Sequence, residues 1–378
     1  MRFGLLTIHA AVNFGSALQA AAFLEYMQKL CPGDRVELID YRPTVIMDPY
    51  SVHIGKNLGG AKQVIRYLLS WRERKERNRV FEGFFDRYFV LSDGVYCEER
   101  ELEEASFQWD AVFLGSDQIW NPQIVGYGTA FFLSFCRNAF RASFAGSFGT
   151  TDIPEAYVKE LVSELKNFEM ISVREPSAKV LLKEMEDYGE KEIAVVSDPV
   201  FLLSEEEWTE IEKRPKQIPK EYIVFYTVQR NPALEDILKK IGNRYRLPVI
   251  DLGLRTRKSD YLGQHSASYG PEEFVYLIHH AQLIFTNSFH GTAFGTIFRK
   301  KCISMLHRER GTRIKELAEL SDRTAYIVSE QITVNELQNI LSKKLDSDYS
   351  KLDQRIAQSK EFLTEAVRRA HEQYRGAK

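Results

Sequence analysis

Cysteine is scarce in this chain of 378 residues: Cys31, Cys97, Cys136 and Cys302 stand far apart, and none belongs to a CxxC pair. That excludes a disulfide scaffold and the common zinc and dithiol motifs, and it points to reduced thiols in a cytoplasmic setting. Long hydrophobic runs are missing too. The first apolar stretch, Phe3–Ile8, is too short for a signal-peptide core, and no later run approaches the roughly 18 residues of a bilayer-spanning helix. Neither sign of charge dominates, since 51 Lys and Arg stand against 53 Asp and Glu for a formal net charge of −2. Without a basic excess, no nucleic-acid partner is expected. The motifs GxGxxG, GxxxxGK[ST] and GxSxG are absent, which removes the usual phosphate-cradling loops and the hydrolase nucleophile elbow. No repeat of solenoid period and no low-complexity tract occurs.

What is present is ordinary globular material, 44% hydrophobic and 28% charged, in a chain long enough for two cores. Short β-rich runs alternate with helical patterns, the mark of parallel sheets with crossover helices. FGLLTI, RVELID, WDAVFLG, FRASFAGS, MISV and EIAVVS read as strands of a doubly wound domain over residues 1–203. An insert at about 60–91 carries eight basic residues at the spacing of an amphipathic helix, suited to a solvated surface or an anionic partner such as a membrane. After the linker RPKQIPK the alternation restarts with EYIVFYTV, PVIDLG, QLIFTN and KCISML, defining a second domain over 204–345. A charged helix fills 346–378.

In open parallel sheets, ligands bind beyond the carboxyl ends of strands, so four strand-end loops are candidates. His9–Ser16 brings Asn13 and Gly15 to a helix entrance, where backbone N–H groups favour an anion. Gly115–Asn121 places the Asp117 carboxylate and the Gln118 amide where sugar hydroxyls could be held, although taken alone Asp117 reads more readily as a turn cap. Ser172–Pro176 presents Arg174, a natural clamp for carboxylate or phosphate, or else half of a surface pair with Glu175. Asn287–Thr292 sets His290 between a strand and a helix, with the titration range of a general acid or base. His279 and His280 are adjacent in a helix and should point about 100° apart, so they form no ligand pair and no metal site is expected.

Together these segments resemble the polysaccharide pyruvyl transferase family. The resemblance runs collinearly over about residues 1–325, through TIHAAVNFGSALQA, VFLGSDQIWN, SFAGSFG, ISVREPSA, VVSDPVFLL, GPEEFVYLIHHAQLIFTNSFHGTAFGTIF and RGTRIKELAEL. It implies an α/β fold of two Rossmann-like domains facing across a cleft, similar to the GT-B glycosyltransferase architecture. It implies transfer of the pyruvyl unit of phosphoenolpyruvate onto sugar hydroxyls as a ketal, with phosphate released and no cofactor. On that reading His290 serves acid–base chemistry and Asp117 positions or deprotonates the acceptor. Arg174, with Asn13, Gly15, Ser288 and Arg313, holds the anionic donor, while Gln118 and Trp120 meet the saccharide. The implied partners are a small-molecule donor and a saccharide acceptor, with peripheral contact to membrane-linked glycan precursors.

One departure stands out. Family members often carry an arginine two residues before the histidine, where this chain has Ser288. Arg308, Arg310 or Arg313 would have to supply that cation from the following loop. Two other readings stay open: a glycosyltransferase using a nucleotide sugar, and a non-catalytic glycan-binding relative, for which Ser288 is the one hint.

Overall fold

The computed structural model describes the chain apart from residues 51–59, 137, 151, 186–187, 229–231, 254–268, 307–310, 330–331, 344–345 and 377–378. Its first sheet comprises β1 (Arg2–Leu6), β2 (Arg35–Tyr41), β3 (Leu91–Tyr96), β4 (Ala111–Leu114), β5 (Phe140–Gly146), β6 (Met170–Val173) and β7 (Ile193–Val195). Its second comprises β8 (Ile223–Tyr226), β9 (Val249–Asp251), β10 (Leu283–Thr286), β11 (Cys302–Met305) and β12 (Ile327–Val328). Every strand pair is parallel, in the orders β3-β2-β1-β4-β5-β6-β7 and β12-β11-β10-β8-β9. Strands covered by helices on both faces must be apolar throughout, and β4, β8 and β10 are buried at every position. The order reverses between β1 and β4 in one sheet and between β8 and β10 in the other. Those reversals are where the loops diverge and open a crevice.

Helix α1 (Phe14–Leu30) joins the two halves. Its Asn13 cap accepts from the Gly15 and Ser16 amides, and Ala17, Leu18 and Ala21 face the second core while Ala20, Phe23, Leu24 and Met27 face the first sheet. From Phe14 to Leu24 the helix is buried all round, which suits its Ala-rich sequence, because small side chains let both cores close on it. Helix α2 (Gly60–Tyr88) is the basic insert. Over residues 71–88 it buries Phe81, Phe84 and Phe85 in the second core, and Arg87 pairs with Glu272 at 2.6 Å. That face is therefore occupied by the protein itself.

Four further helices frame the site: α3 (Pro176–Lys183), α4 (Pro271–His280), α5 (Phe289–Ile297) and α6 (Thr312–Leu320). The last helix, α7 (Ser350–Gly376), returns to the first sheet. Leu363, Ala366 and Ala370 share a core with Phe3 and Phe144, and the Ser359 hydroxyl accepts the Ser197 N–H at 2.8 Å. Helix α7 thus completes the core of the first half, while Leu352 near its start packs in the second. All four cysteines are free thiols, with only Cys97 exposed. Among the described residues no helix is long and apolar enough to cross a membrane.

Candidate active site

The two strand-order reversals face each other. Between them lies a cavity of about 290 Å³ lined by Asn13, Ser16, Asp117 and Gln118 from the first half and by Ser288, His290 and Arg313 from the second. Helices α1 and α5 both begin here, capped by Asn13 and Ser288, so the positive ends of two helix dipoles bound the same space.

His290 sits in the first turn of α5, nine-tenths buried, with Nε2 3.8 Å from Asp198 Oδ2 and no hydrogen-bond partner for that nitrogen. Its ring lies directly over Gly15: a Cβ built there would fall 2.0 Å from Nδ1. Gly15 thus makes room for the imidazole rather than contacting an anion. Burial pushes the His290 pKa below its ordinary value; Asp198 and Asp117 oppose this, and Arg174 and Arg313 reinforce it. Without a further anion beside it, the neutral imidazole is the favoured form.

Asp117 occupies the left-handed backbone region at φ 73°. That places its carboxylate beneath α1, where Oδ2 accepts the Ser16 hydroxyl at 2.6 Å and Oδ1 accepts the Gln118 N–H at 2.9 Å. Burial raises its pKa, but His290, Arg174, Ser16 and Arg313 outweigh burial and hold it below the usual carboxylate range. Both oxygens are engaged and basicity is reduced, so Asp117 is better built to orient than to deprotonate.

Arg174 corrects the expectation of a donor clamp. Its side chain is 3% exposed, and its donors go to the protein: Nε to Glu175 (3.1 Å), Nη1 to Asp198 (2.6 Å) and Ser116 (3.5 Å), and Nη2 to Ser147 (2.7 Å). It does not line the His290 cavity. A ligand there would feel its charge without displacing its hydrogen bonds. Despite burial, Glu175, Asp198 and Asp117 raise the Arg174 pKa above its ordinary value.

Arg313 is the cation that does line the cavity. It is one-tenth exposed, its Nε lacks a hydrogen bond, and its nearest carboxylate, Glu175 Oε1, is 3.8 Å away. Burial first and Arg174 second lower its pKa to about 10, against Glu175, Asp117 and Asp198. Phe289 shields the like charges, with the two guanidinium carbons 4.7 and 5.6 Å from its ring centroid. Of the three arginines that could offset Ser288, Arg313 reaches the site; Arg308 and Arg310 lie outside the described residues. Ser288 itself is the N-cap of α5 and accepts the Gly291 N–H at 3.4 Å.

Trp120 needs a second correction. It is fully buried, donates to the Phe131 carbonyl at 3.1 Å and packs over Gly146, so it offers no surface to a saccharide. Gln118 remains at the cavity wall. Asn13 spends its side-chain oxygen on the α1 cap and lines the cavity as well, where its amide N–H groups are what it can offer a ligand.

Sequence reasoning gave Asp198, Ser147 and Ser116 no role and read Glu175 only as a surface partner of Arg174; with Ser16, these residues hold Arg174, His290 and Asp117 in place. Asp198 was visible as a carboxylate just after a strand and before Pro199, the same strand-end signal that flagged the other loops. The metal expectation also meets a surprise in geometry. His279 and His280 converge, lying 2.8 and 3.1 Å from the two oxygens of Glu212, because His279 stacks on Phe298 and His280 leans on Tyr276. None of the three lines the cleft.

Comparison with solved structures shows the same fold. UDP-GlcNAc 2-epimerase from Rickettsia bellii matches with a TM-score of 0.54 at 11% identity, covering 99% of this chain and 96% of that one. The Methanocaldococcus jannaschii enzyme of that name, in complex with UDP-GlcNAc and UDP, matches with a TM-score of 0.53 at 14% identity over 92% and 95%. The Neisseria meningitidis enzyme bound to UDP-GlcNAc gives 0.51 at 12% identity over 98% and 100%. No curated protein is detectably similar in sequence. The model of the polysaccharide pyruvyl transferase family matches residues 13–308, most of the chain and both of its halves, and the chain belongs to that family.

Proposed function

We propose that this transferase moves the pyruvyl unit of phosphoenolpyruvate onto two hydroxyls of a saccharide, forming a ketal and releasing inorganic phosphate. The observation that carries the reading is Arg313, a buried guanidinium whose Nε has no protein partner, set beside His290 at the starts of α1 and α5. Buried polar groups are normally satisfied, so such an arginine is built for an anion that arrives. A donor carrying phosphate and carboxylate fits that requirement.

The chemistry needs a proton at the donor's methylene carbon and stabilisation of positive charge at the neighbouring carbon. Burial disfavours the charged form of His290, and an entering anion favours it. Donor binding therefore arms the acid. Asp198, 3.8 Å from Nε2, orients the ring and stabilises the imidazolium. The proton passes to the methylene, and the resulting cationic carbon is captured by a hydroxyl oxygen. A second hydroxyl then replaces the phosphate.

The test is a ligand-stabilisation screen followed by phosphate-release assays. A ligand at 100 times its Kd stabilises the native state by about 2.7 kcal/mol. Phosphoenolpyruvate should raise Tm, and UDP, GDP and nucleotide sugars should not. Stabilisation by a nucleoside diphosphate alone would replace this reading with a nucleotide-sugar glycosyltransferase.

A further inference from the structure

Beside the His290 cavity lies a larger one, of about 390 Å³, within the usual size range of small-molecule sites. It is lined by Phe148, Gly149, Thr150, Glu175 and Ser177 from the first half and by Thr312 and Arg313 from α6. Arg313 belongs to both cavities, and Gln118, which lines the first, packs against Gly149, which lines the second. The two spaces are neighbours around one guanidinium.

Their chemistry differs. The first offers His290, Asn13, Ser16 and the starts of two helices, and its one carboxylate, Asp117, has both oxygens engaged by Ser16 and Gln118. The second holds two carboxylates, Glu175 and Glu184, against the shared Arg313, with hydroxyls from Thr150, Ser177 and Thr312 and an apolar floor of Phe148, Ala178 and Leu181. A multiply charged anion would meet those carboxylates. A neutral polyol would instead give them hydroxyl protons, and its C–H faces would rest on the apolar floor. Glu175 is the telling group. It is 4% exposed, its Oε1 accepts from Ser147 (2.5 Å) and Arg174 (3.1 Å), and its buried Oε2 has no partner. A buried carboxylate oxygen left unpaired next to a hydroxyl-lined cavity calls for a donor that comes with the ligand.

We infer that this second cavity is the acceptor subsite, that it takes a neutral pyranose, and that Glu175 Oε2 removes the proton of the attacking hydroxyl. The assignment rests on the pyruvyl-transfer reading above. In the addition step the acceptor oxygen bonds to the donor's C2, its proton passes to Glu175, and the proton from His290 enters C3. In the second step another hydroxyl bonds to C2, the C2–O bond to phosphate breaks, and that hydroxyl's proton leaves with phosphate. The proton held by Glu175 restores the one His290 delivered, so the cycle balances as phosphoenolpyruvate plus diol giving ketal plus phosphate.

The experiment uses the full chain with phosphoenolpyruvate and methyl hexosides as probes, read by saturation-transfer NMR for binding and by ³¹P NMR for phosphate release. Ser177→Trp fills the cavity and should abolish the hexoside signal while the phosphoenolpyruvate signal persists. Glu175→Gln keeps an acceptor for Ser147 and Arg174 but no base. It should bind both probes and release phosphate about 10²–10⁴-fold more slowly. Unchanged hexoside binding in Ser177→Trp, loss of the phosphoenolpyruvate signal there, near-normal release by Glu175→Gln, or no hexoside bound to the native chain would each overturn the assignment. Hexoside and phosphoenolpyruvate both bound to the native chain without phosphate release would instead overturn the pyruvyl-transfer reading and leave the saccharide subsite standing.

Discussion

Replacing Gly15 by alanine separates the site from the scaffold more sharply than any change to a charged group. The added Cβ would lie 2.0 Å from His290 Nδ1, 2.4 Å from Cγ and 2.7 Å from Cε1. Carbon contacts of this kind do not fall below about 3 Å, so the ring or the helix must withdraw by roughly 1 Å. Helix α1 is packed on both faces and has little room to move, which leaves the imidazole to give way. A displacement of about 1 Å at a reacting group costs on the order of 10²-fold in rate. Stability should change far less. Overpacking costs about 1–3 kcal/mol, and alanine in a helix returns up to about 1 kcal/mol over glycine. Gly15→Ala should therefore lower phosphate release about 100-fold, with Tm reduced by only a few degrees. Phosphoenolpyruvate affinity should stay within severalfold, because Arg313 lies on α6. A folded variant with a normal rate would refute the placement of His290 over Gly15, and with it the account of why this loop carries a glycine.

Four other outcomes follow from the same structure. Arg313→Ala should weaken phosphoenolpyruvate binding by about 1.5–3 kcal/mol in calorimetry, and Arg313→Lys by less. Arg174→Ala, by contrast, strands Asp198 and Glu175 as unpaired buried charges and should cost about 3–5 kcal/mol of unfolding free energy, with donor affinity preserved in whatever remains folded. The His290 pKa is lowered on folding, so below about pH 6.5 the unfolded state binds more protons and stability falls with acidification. His290→Gln should flatten that part of a denaturation-versus-pH curve, and an unchanged curve would contradict the buried, neutral imidazole. Leu363→Ala, at a fully buried position of α7, should destabilise the protein by about 2–5 kcal/mol if the last helix completes the first core, and by almost nothing if it lies on the surface.

Local signals carried far in this chain. The alternation of β-rich runs with helical patterns is enforced by burial on both faces of a parallel sheet, and ten of the twelve strands described here fall on the runs it marks; β3 and β12, edge strands that are partly exposed or only two residues long, carry too little of that signal. The four strand-end loops were legible because a small residue, a cap and a polar side chain at a strand's carboxyl end are neighbours in sequence. Asn13, Asp117, Gln118, Ser288 and His290 accordingly reach one cavity. Other facts depend on who sits opposite. Nothing local to ISVREPSA says that the Arg174 guanidinium is taken up by Asp198, Ser147 and Ser116, each from a different loop. Nothing in GSDQIWN says that the indole of Trp120 turns inward onto Gly146. The adjacency of His279 and His280 predicts divergence on an ideal helix, yet two aromatic neighbours turn both rings to one carboxylate.

The sequence by itself therefore determined the fold class, the loops that could hold a ligand and the family, because periodicity, capping and motif order are properties of neighbouring residues. Which arginine is spent on the protein and which one keeps an unpaired nitrogen at the cavity was decided only in the tertiary structure. A guanidinium is free or spent according to the carboxylates that long-range packing brings within about 3 Å of it, and that distance is set by the whole fold.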